Sequence, residues 1–161
     1  CLQVIVTPTL GRFIGLLRNS DAAIATATLE RVQAEVGDGS PIAWTIVCDA
    51  LRPGMFSALF QHGDEPFTIA HLFTDPTSRL ERMQASVLML ERAGKPQLLP
   101  HDDVELRPGD RLLVVGTDLA RRLQQRYLDE PSTVQWVRSG NEPARGLLFR
   151  WWRQRDMKQA G

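Results

Sequence analysis

Residues 86–117 read SVLMLERAGKPQLLPHDDVELRPGDRLLVVGT, and this stretch decides the fold. Two short apolar runs, Val87–Leu90 and Leu112–Val115, are cut off by turn chemistry at Ala93-Gly94-Lys95 and Arg107-Pro108-Gly109-Asp110. Runs this short, bounded by Gly and Pro, read as buried strands rather than helices. Between them Gln97-Leu98-Leu99-Pro100 is long enough for a return strand, so the stretch predicts a β-meander.

The ordered string resembles the C-terminal lobe of the regulator-of-potassium-conductance family, also called TrkA-C. That lobe carries a strand, Arg-x-Gly, a short strand, Pro, acidic residues, then Leu-x-Pro-Gly-Asp-x-Leu and an apolar pair before Gly. The counterparts are Arg92-Ala93-Gly94, then Pro100 with Asp102 and Asp103, then Leu106 through Leu112 and on to Val115-Gly116. The resemblance covers about Ile42–Gly116, with an insertion near 61–83 relative to the shortest family pattern. It implies a regulatory sensor of membrane ion transport rather than an enzyme. It also implies a nucleotide-binding lobe upstream, whose last strand ends in an apolar-Pro step like Leu2–Pro8.

Composition bounds the class. At 161 residues the chain is long enough for one domain with a real core. Lys+Arg and Asp+Glu are both 19, so no global basic field points to nucleic acid. Cys1 and Cys48 have neither metal spacing nor a disulfide framework, as expected of a reducing compartment. No apolar run approaches the roughly 18 residues that cross a bilayer. The opening Cys1-Leu2-Gln3-Val4-Ile5-Val6 reads as a strand in a fragment of a longer protein, and any pore would belong to the rest of that protein.

Outward from the meander, Leu10, Phe13, Ile14 and Leu17 fall at helical spacing behind a candidate N-cap, Thr9. Asn19-Ser20-Asp21 precedes a second helix over 22–36 with Ile24, Thr28, Val32 and Val36 on one stripe and Gly37 closing it. Gly37-Asp38-Gly39-Ser40-Pro41 marks a boundary, and Ile42–Cys48 is β-branched and aromatic enough for a strand. Arg52-Pro53-Gly54 reads as its terminator, before a short helix over 55–61. Phe67–Phe73 fits either a strand or a helical turn. Thr74–Met83 reads as an exposed loop, and Asp118 as the cap of a helix over 119–128. Val134-Gln135-Trp136-Val137 suggests one more strand. Ser139-Gly140-Asn141 is a second linker before a helical stretch opened by Pro143. The predicted class is therefore α+β. Residues 1–41 end a nucleotide-binding-type lobe and its linking helices, 42–118 form the TrkA-C-like lobe, and 119–161 form a helical extension.

Chemistry-bearing motifs are sparse. There is no Gly-x-Gly-x-x-Gly and no Gly-Lys-Ser/Thr loop, and Gly37-Asp38-Gly39 leads into a strand rather than a helix N-terminus. No cofactor is expected in this fragment; a nucleotide would belong to the lobe before it. Three histidines are present, His62, His71 and His101. The run His101-Asp102-Asp103-Val104-Glu105 holds donors, yet neighbours on extended chain point to opposite faces, so a solvated turn is the simpler role. Cys48 lies in a buried strand, where a thiol behaves as a small apolar group. Gly-x-Ser-x-Gly is absent. An enzyme is not expected, and an accessory domain using His62, His71 or Cys48 is the alternative.

Two segments suggest partners. From Ala144 onward, five basic residues, Arg145, Arg150, Arg153, Arg155 and Lys158, face Asp156 alone, with Phe149, Trp151 and Trp152 interleaved. Such a tail either lies on an anionic membrane surface or packs its aromatics back on the domain. The helix near Met55, Phe56, Leu59 and Phe60 spreads apolar groups over too wide an arc for one buried stripe, so these four are the candidate self-association residues. The residues themselves predict a soluble, non-catalytic, self-associating domain, expected as a homodimer; the resemblance implies a ligand-sensing domain on the cytoplasmic side of a bacterial inner membrane. It would regulate a potassium channel or transport system and answer an unidentified small molecule or ion. The same lobe on another cation antiporter or anion carrier is the nearest variant.

Overall fold

A computed structural model describes residues 8–36, 40–60 and 66–140. The architecture is α+β. Two helices come first, α1 (Pro8–Arg18) and α2 (Ala22–Val36). Strand β1 (Ile42–Val47) follows, then α3 (Pro53–Phe60) and the single turn α4 (Ile69–Phe73). A small hairpin is formed by β2 (Thr74–Asp75) and β3 (Ser78–Arg82). The central strands are β4 (Ala85–Arg92), β5 (Lys95–Leu98) and β6 (Arg111–Gly116), and the described chain ends with α5 (Asp118–Asp129) and α6 (Pro131–Ser139).

The three antiparallel strands predicted from residues 86–117 join β1 in a four-stranded sheet in the order β1-β6-β4-β5. Strand β6 crosses back to lie between β1 and β4, with Val87 opposite Val114 and Trp44 opposite Val114 from the other side. β4 and β6 are therefore interior strands, which explains why both read as nearly unbroken apolar runs. A register shift between Val87 and Met89 marks a bulge at Leu88. Its effect is specific: Leu88 and Met89, though consecutive, both join the cluster on one face, while Val87 and Leu90 face the other.

Each sheet face has its own core. The larger holds Ile46, Cys48, Val87, Leu90, Leu112 and Val114 beneath α3, α4, α5 and α6, with Met55, Leu72, Phe73, Tyr127 and Leu128 all buried. α5 and α6 thus share the core of the strands through Ala120, Val134 and Val137. The smaller joins Leu88, Met89, Leu113 and Val115 to Phe13 of α1, with Leu10, Leu17 and Val32 packed around them. A polar chain ties the larger core together. Trp44 Nε1 donates to Gln124 Oε1 at 2.8 Å, Gln124 Nε2 to the Leu72 carbonyl at 3.2 Å, and the Tyr127 hydroxyl to the His71 carbonyl at 3.1 Å. Buried polar groups of this kind need such partners.

Several boundaries differ from the sequence expectation, each for a physical reason. Thr9 lies inside α1 and is buried, so it is not the cap. Pro53 and Gly54 open α3 rather than terminating β1: proline suits the first helical turn, where its missing N–H is an orphan anyway. A Cβ at Gly54 would fall 2.5 Å from the Leu128 carbonyl oxygen, so only glycine allows α3 to approach the end of α5 this closely. Residues 74–82 form a hairpin instead of a loop, clamped where the Met83 N–H donates to the Phe73 carbonyl at 2.8 Å. Thr117, not Asp118, caps α5 by accepting from the Ala120 N–H at 3.2 Å. The strand expected at 134–137 is helix α6, since Thr133, Val134 and Val137 bury one helical face behind Pro131. For residues 67–73 the structure decides between the two options: α4 begins at Ile69, and Thr68 bridges Glu105. The cap at Gly37 lies outside the described residues.

Candidate functional site

The four candidate self-association residues divide cleanly. Met55 and Leu59 are buried in the larger core, whereas Phe56 and Phe60 stay 39% and 46% exposed. A spacing of four places both rings on one helix face, where they stack with centroids 5.2 Å apart. Met55 and Leu59 on the opposite side hold the helix to the domain, so they are not surface residues. The eight residues of α3 carry no charge. Its neighbour α5 carries Asp118, Arg121, Arg122, Arg126 and Asp129 in twelve residues. Arg52 marks the rim of this uncharged face by donating to the Gln125 carbonyl at 3.4 Å.

The motif residues form a second constellation that no single stretch of sequence reveals. Arg92 Nε and Nη2 donate to the two Asp110 carboxylate oxygens at 2.8 and 2.7 Å. The Arg107 N–H donates to Asp110 Oδ2 at 2.9 Å, and Arg92 Nη2 also reaches the Glu105 carbonyl at 2.7 Å. Asp110 is 1% exposed, so its charge is compensated almost entirely by these donors. The hydrogen bonds from Arg92 to Asp110 raise the guanidinium pKa still further. Arg92 follows from the Arg-x-Gly turn and Asp110 from the Pro-Gly-Asp turn. The clamp therefore fastens the β4–β5 hairpin to the entry of β6.

Cys48 adjoins this clamp. Its N–H donates to the Asp110 carbonyl at 2.8 Å and its carbonyl accepts from the Gly109 N–H at 2.8 Å. Burial first, and then the Asp110 charge, pushes the thiol up to about 12. Such a thiol stays protonated near neutral pH and is a poor nucleophile.

The described histidines are His71 and His101. His71 accepts from the Thr68 N–H through Nδ1 at 3.1 Å and stacks on Phe67, with ring centroids 5.7 Å apart. That geometry makes it a helix-start residue. His101 sits in an exposed turn, and His62 lies outside the described residues. Next to His101, Asp102 pairs with Arg82, whose guanidinium lies 5.4 Å from the Phe73 ring centre. Among the described residues no three His, Cys, Asp or Glu side chains gather as a metal site, and no helix is long and apolar enough to cross a membrane. The glycines at 37 and 39 and the basic aromatic segment from Ala144 onward lie outside the described residues.

Sequence reasoning missed the carboxylate clamp because Arg92 and Asp110 are 18 positions apart. The register that brings Glu91 opposite Arg111 is what joins them. The exposed aromatic pair was legible as an apolar excess, though which two of the four face outward needed the packing of α3. Compared with models of protein families and with curated proteins, the chain matches none.

Proposed function

We propose that the chain is a non-catalytic regulatory domain of the TrkA-C kind, serving a potassium channel or potassium transport system from the cytoplasmic side of a bacterial membrane. It acts as a homodimer, and a small-molecule or ion effector works by binding one dimer geometry better than another, since equal affinity for both would shift nothing. The observation that carries this reading is the half-exposed Phe56–Phe60 stack on an uncharged helix. Interface cores are depleted of charge and enriched in aromatic groups, and a neutral patch is complementary to its own copy around a two-fold axis. The resemblance of the Arg92-to-Gly116 string supplies the transport context.

Two rings supply only part of the roughly 800 Å² per partner that a stable dimer buries, so the association is concentration-dependent. Light scattering over a protein dilution series tests it. A mass rising towards twice 18.1 kDa is expected, and a monomer at every concentration removes the dimer. The transport context has its own test in the parent gene. A Gly-rich βαβ unit preceded by membrane-spanning segments upstream of Cys1 supports it, and an unrelated catalytic domain there overturns it.

A further inference from the structure

The two sheet faces are covered in different ways. Above the larger core, α3 to α6 bury side chains on every helix. Above the smaller one, α1 and α2 contribute Phe13, Thr9 and Thr28 as their buried described residues, and most other described positions are exposed or half-buried. Yet the strand residues beneath, Leu88, Met89, Leu113 and Val115, are nearly all sealed, from 0% to 5% exposed. Among the described residues of α1 and α2, Phe13 is the one buried apolar side chain over this surface, with Leu10, Leu16, Leu17 and Val32 partly buried beside it.

Both helices are weak by themselves. Gly11 and Gly15 sit in the middle of α1, and a Cβ built at either meets nothing within 4 Å. Neither glycine is required by packing, and each lowers helix propensity relative to alanine. In α2, the Thr26 and Thr28 hydroxyls donate back to the Ala22 and Ile24 carbonyls at 3.0 and 2.8 Å, a pattern that slightly destabilises and bends helices. Short isolated helices are marginal in water, so these two depend on their docking.

Polar fastenings sit at separate points of the contact. Arg12 Nη1 donates to Glu91 Oε1 at 2.8 Å, and Arg12 Nη2 to the Gly94 carbonyl at 3.0 Å in the β4–β5 turn. Arg31 Nη1 reaches the Val87 carbonyl beside the bulge at 3.4 Å and the Pro100 carbonyl at 3.5 Å. Close by, Leu99 holds a left-handed φ of 46°, unusual for a bulky side chain, while its N–H donates to the Leu88 carbonyl at 2.9 Å.

We infer that α1 and α2 form a strap that lifts from the second sheet face as one unit while the rest of the domain stays folded. Weak intrinsic helices, a small apolar cluster and a few fastenings, exposed at Arg12 and part-buried at Arg31, are the features of a segment that opens well below the global unfolding free energy. Opening uncovers Leu88, Met89, Leu113 and Val115 without breaking a strand ladder, because the β4–β6 and β1–β6 hydrogen bonds belong to the sheet alone. The strap is thus a built-in conformational device, independent of the transport reading and of the dimer.

Hydrogen exchange on the full chain, read by mass spectrometry at peptide resolution, tests the strap. Mid-helix amides of α1 and α2 are expected to exchange at least tenfold faster than those of β6. Gly15→Ala, which meets no obstacle, should slow exchange in α1 and α2 about fivefold and leave β6 unchanged. Arg12→Ala should speed α1 and α2 about threefold, again without touching β6. Met55→Ala, in the other core, should speed β6 strongly and so reports global opening. If α1, α2 and β6 share one protection factor and move together in every variant, the helices open only with the whole domain and the strap is wrong. Complete absence of protection in α1 and α2 overturns it equally, because a strap must be docked before it can lift.

Discussion

Arg92 and Asp110 meet as a two-point pair, Nε to Oδ1 at 2.8 Å and Nη2 to Oδ2 at 2.7 Å, around a carboxylate that is 1% exposed. The arginine lies at the end of β4 and the aspartate at the entry of β6, so the pair closes the corner where two turns converge. Removing one partner of a buried pair costs more than the pair is worth, because the survivor keeps its desolvation penalty. Arg92→Ala should therefore lower stability by about 2–4 kcal/mol, while Arg92→Lys, losing the two-point geometry, should cost less. Urea midpoints check both. Equal midpoints for wild type and Arg92→Ala would mean that Asp110 finds water instead.

Gly109 stands one residue before that aspartate with φ +90°, and nothing lies within 4 Å of a Cβ added there. Space is available, so any cost must come from the backbone. Gly109→Val should destabilise by about 1–3 kcal/mol through left-handed strain alone. Gly109→Asn, which tolerates positive φ better, should recover part of that loss. An unchanged midpoint for the valine variant would show that the turn relaxes into another type.

How much of this was legible follows from what each residue faces. β4 and β6 are interior strands, so their apolar runs announce them, and the Asn19-Ser20-Asp21 break places α2 at Ala22 without ambiguity. The β2–β3 hairpin left no such trace: Arg79, Leu80, Glu81 and Arg82 are all exposed, so no alternation of burial marks their strand. Its shape comes from the anchors at its ends, Phe73 and Met83, and from Arg79 Nε donating to the Val137 carbonyl at 3.1 Å. Val134 and Val137 misled for the opposite reason. A short apolar pattern fits both periods, and only Pro131 as a helix start and burial against α3 decide it. Pairings such as Arg92 with Asp110 depend on register, and register is fixed by the packed sheet.

Cys48 gives the chain a pH dependence with a definite sign. Its folded pKa is raised from the ordinary 9.0 to about 12, so the folded state favours the protonated thiol. That contribution is fully present below the unfolded pKa and is lost as pH rises from about 9 towards 12. Tyr127, also raised by burial, acts in the same direction above about pH 10. In a Cys1→Ser background, stability should fall by about 1 kcal/mol between pH 8 and 10, and Cys48→Ala should flatten that slope. A wild-type curve level to pH 10 would place the thiol in contact with water. Iodoacetamide probes the same burial kinetically, since labelling of Cys48 should track unfolding rather than thiolate content.

Gly140 closes α6 with a left-handed φ of 71°, its N–H donating to the Trp136 carbonyl at 2.9 Å. The two described cores are built from residues before Gly140, and Ser139-Gly140-Asn141 reads as a break after them. Deleting residues 141–161 should thus leave a single cooperative thermal transition. Loss of cooperativity would place the aromatic residues beyond Gly140 within the core. Vesicles of anionic lipid address the other role of that segment: co-sedimentation of the full chain, abolished by high salt and by the deletion, is the outcome expected of a membrane-surface tail.

α3 supplies an internal contrast, because neighbouring positions on one helix answer to different tests. Met55 is fully buried, so Met55→Ala should cost about 2–5 kcal/mol in stability, whatever the oligomeric state. Phe56 and Phe60 are half exposed and touch each other, so a charge there is tolerated by the monomer but not by a paired, charge-free interface. Phe56→Asp or Phe60→Asp should change the stability of a dilute sample, read from its urea midpoint, by less than about 1 kcal/mol. The same variants should return a concentrated sample to the monomer mass in light scattering. Should the aspartate variants unfold, Phe56→Ser and Phe60→Ser carry the comparison with less perturbation. Dimers that persist in all four variants would move the interface away from α3.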